Sequence, residues 1–89
     1  MRIIERTSQF KRDIERMGKR GKDMRKFKEV LQTFVEGRQL APQYRDHPLL
    51  GQYIGSRECH IEPDWLLVYE ATDETVILIR TGSHADLFR

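Results

Sequence analysis

A single cysteine, Cys59, has nothing to pair with inside the 89 residues. An intrachain disulfide and a cysteine-built zinc site are therefore both excluded. Long apolar runs are absent too. The longest is Trp65-Leu66-Leu67-Val68-Tyr69, far short of the roughly 18 residues a membrane span needs. The opening Met1-Arg2-Ile3-Ile4-Glu5-Arg6 carries no apolar signal-peptide segment. There is no glycine-rich phosphate loop, Ser-His-Asp signature or nucleophile elbow, and no repeat, low-complexity tract or linker. The expectation is one cytoplasmic domain over residues 1–89, with no membrane association.

Charge is plentiful but unevenly spread. Of 16 Lys+Arg and 14 Asp+Glu, residues 1–28 hold 11 and 4, a net of +7, which leaves −5 for the rest. Such a basic segment suits a polyanion-facing surface, or it simply solvates a helix face. The 38% hydrophobic content, with one Trp, three Tyr and four Phe, suffices for a core and argues against disorder.

Arg2 to Arg6 reads as a short strand. Ser8 is the expected N-cap of a first helix, whose core face is Phe10, Ile14 and Met17. Gly18 and Gly21 mark its end. Asp23 caps a second helix to about Glu36, with the stripe Met24, Phe27, Leu31 and Phe34 widened by Val30 and Val35. Gly37 is its stop. Arg38 to Leu50, with Pro42 and Pro48, reads as a loop. Strands are expected at Ile54 to Ile61, Trp65 to Tyr69 and Val76 to Arg80, with turns at Glu62-Pro63-Asp64-Trp65 and Thr72-Asp73-Glu74. Ser83 to Phe88 has room for one helical coil. The order β-α-α-β-β-β predicts an α+β fold, a helical hairpin packed on a mostly antiparallel sheet.

The chain has three histidines, His47, His60 and His84, each at a loop or strand end. His60 and Asp64 flank the Pro63 turn, so one hairpin end carries both. His47, before the sheet, and His84, after it, can converge there. RNA cleavage through the 2′-hydroxyl needs a base, an acid for the departing 5′-oxygen, and charge to stabilise the phosphorane. Imidazole serves either proton role near neutral pH, and a carboxylate such as Asp64 can orient one ring. Against this stands the plainer alternative of surface or core histidines. The same residues lack the compact spacing of a metal site, so no cofactor is expected. Cys59 and His60 are strand neighbours pointing to opposite faces, which argues against a Cys-His nucleophile. Trp65 opens an apolar strand and reads as core. Phe88 is either core or a platform for an unpaired base, a contact worth about 1–3 kcal/mol.

The segments Asp46-His47-Pro48-Leu49, Arg57-Glu58-Cys59-His60-Ile61-Glu62-Pro63-Asp64-Trp65 and Arg80-Thr81-Gly82-Ser83-His84-Ala85-Asp86-Leu87-Phe88 together resemble the YafQ family of bacterial type II toxins, within the RelE/ParE superfamily. The resemblance implies a RelE-like fold and a ribosome-dependent endoribonuclease that cuts messenger RNA in the A site of the 70S ribosome without metal. It also implies a DinJ-like antitoxin, and ribosomal RNA contacts through the basic residues of the N-terminal helices. By position, His47 corresponds to the general base and His84 to the general acid. His60 with Asp64 forms the supporting pair, and Trp65 and Phe88 position the RNA. Tyr53, Ile54 and Ser56 stand where a tryptophan, a basic residue and an aromatic are common. The competing readings are a non-catalytic binding module of the same fold, such as a ParE-like gyrase inhibitor, and a zinc enzyme.

Overall fold

The structure is a computed structural model and describes residues 1–88. Five strands, β1 (Ile3–Arg6), β2 (His47–Pro48), β3 (Arg57–Glu62), β4 (Trp65–Ala71) and β5 (Thr75–Gly82), form one sheet in the order β1-β5-β4-β3-β2. Every pairing is antiparallel except β1 with β5. Helices α1 (Ser8–Lys19) and α2 (Met24–Val35) make the hairpin, and α3 (His84–Leu87) is a single turn. This is the α+β architecture expected. No helix among the described residues is long and apolar enough to cross a membrane.

Local chemistry sets the boundaries. The cap of α1 is Thr7 rather than Ser8: its hydroxyl oxygen accepts from the Phe10 backbone N–H at 2.9 Å. Asp23 caps α2 as expected, accepting from the Arg25 N–H at 3.0 Å. Gly21 and Gly37 take φ of +85° and +72° to turn the chain out of each helix. The segment read as loop contains β2 and two single 3-10 turns, Pro42–Tyr44 and Gly51–Tyr53. β3 begins at Arg57 rather than Ile54, because Gly55 holds φ +93° and breaks the extended run.

The unbroken apolar run of β4 is buried on both faces. Trp65, Leu67 and Tyr69 join Phe10, Met17, Val30 and Phe34 in the helix-side core. Leu66 and Val68 join Leu87 in a smaller cluster on the opposite face, with Leu49, Tyr53 and Ile79 packed beside them. Strand alternation divides the run between two layers.

Candidate active site

Directly paired residues share a sheet face. The register lines up His47, Glu58, Val68 and Arg80 across β2 to β5, and His60, Leu66 and Gly82 in the next row. Both rows lie on the face turned away from α1 and α2. Two bulges adjoin them. The register slips between His60 and Glu62, inserting Ile61. It slips again opposite Val68 and Tyr69, inserting Ile79. Bulges bend a strand and re-aim the adjacent side chain, here His60 and Arg80.

The three histidines come together. Ring centroids are 6.1 Å apart for His47 and His60, and 5.8 Å for His60 and His84. His47 Nδ1 lies 2.7 Å from the Arg45 carbonyl. A carbonyl only accepts, so Nδ1 carries the proton and Nε2 is turned toward Glu58, 3.7 Å away. Arg45 holds the left-handed backbone (φ +49°), uncommon for a residue with a side chain. Asp46 ties this loop to the sheet. It accepts from Arg57 Nε at 3.2 Å and from the Tyr69 hydroxyl.

His60 faces two acceptors, the Pro63 carbonyl at 3.3 Å and Glu58 Oε1 at 3.1 Å. Asp64, expected beside His60, instead accepts from both the ring Nδ1 (2.6 Å) and the backbone N–H (2.9 Å) of His84. The reason is the β4–β5 pairing of Leu66 with Gly82, which sets the Pro63 turn against the first residue of α3. These two bonds, backbone first, hold the Asp64 carboxyl below the usual range. α3 itself is fixed by a capping box between Ser83 and Asp86, and Asp86 also takes both Nη atoms of Arg20 at 2.6 and 3.0 Å. Gly82 permits this approach, since a Cβ there would lie 2.9 Å from Asp86 Cβ.

Phe88 is 42% exposed and meets Tyr53 edge-on at 5.7 Å, so its ring is available to a ligand. Trp65 has no exposed surface, and its Nε1–H donates to the Thr81 hydroxyl at 2.9 Å. Of its two readings, the core one fits: the ring presents no face to RNA. Cys59 is buried on the helix side, and burial pushes its thiol pKa up sharply.

Two residues of this face escape the sequence argument. Glu58 is 5% exposed and sits between the His47 and His60 rings. Its signal is the two-residue step to His60 on one strand. Arg80 lies beside Tyr53, aimed by a bulge that no sequence pattern announces.

A family profile described as the bacterial toxin of the type II toxin-antitoxin system, YafQ, matches residues 2–89. The chain is 42% identical over 88 residues to the mRNA interferase toxin YafQ of Escherichia coli strain K12, covering 98% of this chain and 96% of that one. The crystal structure of YafQ from E. coli strain BL21(DE3) superposes with a TM-score of 0.94 at 40% identity, covering 100% of both chains. In the E. coli DinJ-YafQ complex the corresponding chain superposes with a TM-score of 0.92 at 41% identity, again covering 100% of both.

Proposed function

The chain belongs to the YafQ family of type II toxins, and from that premise we propose that it is a messenger-RNA interferase whose histidines cut the RNA by acid–base chemistry. The observation that carries this reading is the close row of His47, His60 and His84 on one face with Arg80. His47 Nε2 takes the proton of the 2′-hydroxyl, and the 2′-oxygen attacks phosphorus. The bond from phosphorus to the 5′-oxygen breaks. His84, anchored through Nδ1 by Asp64, delivers a proton from Nε2 to that oxygen. The products are a 2′,3′-cyclic phosphate and a 5′-hydroxyl. His60 and Arg80 offset the charge that builds on the phosphorane, Glu58 orients the His60 ring from 3.1 Å, and the Arg45 carbonyl orients His47. Base, acid and cation are all side chains of this chain, so the step needs no metal. Phe88 stacks on a base next to the cut, while Trp65 supports the site from beneath.

The substrate is the message in the 70S ribosomal A site. Among the described residues, Lys11, Arg12 and Lys28 of the two helices make no ion pair, whereas Arg16, Arg20, Lys22 and Lys26 do. The first three are the groups we assign to ribosomal RNA. A DinJ-like antitoxin silences the toxin, and both act in the cytoplasm.

The test is expression in translating cells or lysate with mapping of new 5′ ends. Wild type yields them, while His47→Ala and His84→Ala each abolish them without unfolding the protein. Ribosome binding without new ends in wild type would turn the reading toward the non-catalytic module.

A further inference from the structure

Asp13 lies in the middle of α1, outside the three segments that carry the family resemblance, yet it has no exposed surface. β1 pairs with β5 only as far as Leu78. Beyond it the edge of β5 has no strand partner, and α1 takes that place. The Thr7 hydroxyl donates to the Ile79 carbonyl at 2.8 Å. Asp13 Oδ2 accepts from the Thr81 backbone N–H at 3.2 Å. The same carboxylate takes Arg80 Nε at 2.7 Å on Oδ2 and Arg80 Nη2 at 3.3 Å on Oδ1, a forked grip on the guanidinium. Gln9 Nε2 adds a bond to Oδ1 at 2.9 Å, and Arg16 Nη2 approaches it at 3.4 Å. Arg80 Nη1 takes no part in the grip.

A buried charge is costly unless paired and fully hydrogen-bonded. An apolar residue at position 13 would leave the Thr81 N–H and the Arg80 guanidinium without their acceptor. The Thr81 bond engages one oxygen, whereas the grip on Arg80 engages both, so the carboxylate holds the arginine as well as the strand edge. An unrestrained arginine side chain surrenders rotamer freedom when it binds a phosphate, whereas one already fixed by a carboxylate does not.

We propose that Asp13 is the positioning residue that holds the Arg80 guanidinium at the edge of the active face, leaving Nη1 for the scissile phosphate. This rests on the reading of Arg80 as the phosphate-facing cation.

The test compares single-turnover cleavage of message in programmed ribosomes by wild type, Asp13→Asn, Arg80→Ala and the double variant, with thermal melts of each. Asp13→Asn is expected to slow cleavage on the order of tenfold or more, and to add nothing to the loss caused by Arg80→Ala. A merely structural Asp13 would instead slow both backgrounds equally, because independent losses add. That result, or Asp13→Asn cutting at the wild-type rate, overturns the proposal. Arg80→Ala at the wild-type rate removes the phosphate reading itself, and the positioning role with it. A second measurement needs no variant: in wild-type protein the Arg80 Nε–H is expected to be as rigid by NMR relaxation as the backbone. Mobility equal to that of Arg2 overturns the proposal even if Asp13→Asn fails to fold.

Discussion

One oxygen of Asp64 accepts from both the ring and the backbone of His84, at 2.6 and 2.9 Å. The second bond fixes where the residue sits and the first fixes how its ring turns. Asp64 and His84 are both more than half exposed, so little of the fold depends on them. Asp64→Asn is expected to slow cleavage on the order of 10- to 100-fold, with an unchanged melting temperature. Equal cleavage rates for the two proteins would separate Asp64 from the chemistry.

The sequence made the architecture legible because apolar periods and breakers agree. Asp23, Gly21, Gly37 and the Pro63 turn stand where the chain changes direction, and the five-residue run of β4 announces a strand with at least one covered face, where the structure covers both. The convergence of the histidines was readable as a hairpin end plus two flanking segments. The pairings within it were not. Which imidazole Asp64 meets depends on the Leu66–Gly82 register, and register is a non-local property. Arg80 and Asp13 were hidden for a similar reason. A bulge and an unpaired strand edge join residues 67 positions apart, and neither leaves a local signature.

Glu58 is the group whose loss separates chemistry from folding most sharply. Its Oε1 lies between His60 Nε2 at 3.1 Å and His47 Nε2 at 3.7 Å. Glu58→Gln keeps the volume and removes the charge from a nearly closed site. We expect cleavage to fall on the order of 100-fold, with only a small change in thermal midpoint, since the amide oxygen still accepts from His60. A large drop in midpoint would make the residue structural.

Trp65 gives the converse pattern. Its Nε1–H bonds to Thr81, whose hydroxyl in turn donates to the Leu66 carbonyl at 2.6 Å. Trp65→Phe deletes that donor and part of a fully buried ring. The cost should be about 2–4 kcal/mol in denaturant unfolding. At a temperature where the variant stays folded, its affinity for RNA should match wild type. A selective loss of RNA affinity would place the ring against substrate after all.

Acid should loosen α3 through Asp86. Hydrogen bonding from Arg20 is the largest cause, with Ser83 adding to it, and together they hold the Asp86 carboxyl well below its usual value. A folded-state pKa below the unfolded one stabilises at every pH above the unfolded value, about 3.9. That contribution disappears as pH falls toward the depressed value. Asp86→Ala should therefore melt several degrees below wild type at pH 7, for a loss of about 1 kcal/mol. The gap should close as both proteins are titrated from about pH 4 downward. A gap independent of pH would mean that the ionised carboxylate is not what fastens the helix.

Added metal provides a test that depends on geometry alone. One nitrogen each of His47 and His60 and one oxygen of Glu58 lie within 4.8 Å of one another. A zinc ion sits about 2.0–2.2 Å from such ligands, so a small contraction would let the three close on it. One of the lone pairs it takes, on His47 Nε2, is that of the proposed base, so a borderline-soft cation is expected to act as an inhibitor rather than a cofactor. Magnesium, which prefers an octahedral oxygen shell, should have no such effect. The expected results are full cleavage in the presence of a chelator, loss of cleavage with one equivalent of zinc, and recovery when the chelator follows. Calorimetry should show zinc binding that weakens in His47→Ala and Glu58→Gln. If a chelator alone stops cleavage, the metal-free mechanism fails. If zinc inhibits while binding as tightly to both variants, the inhibition arises elsewhere on the molecule and this cluster is not its cause.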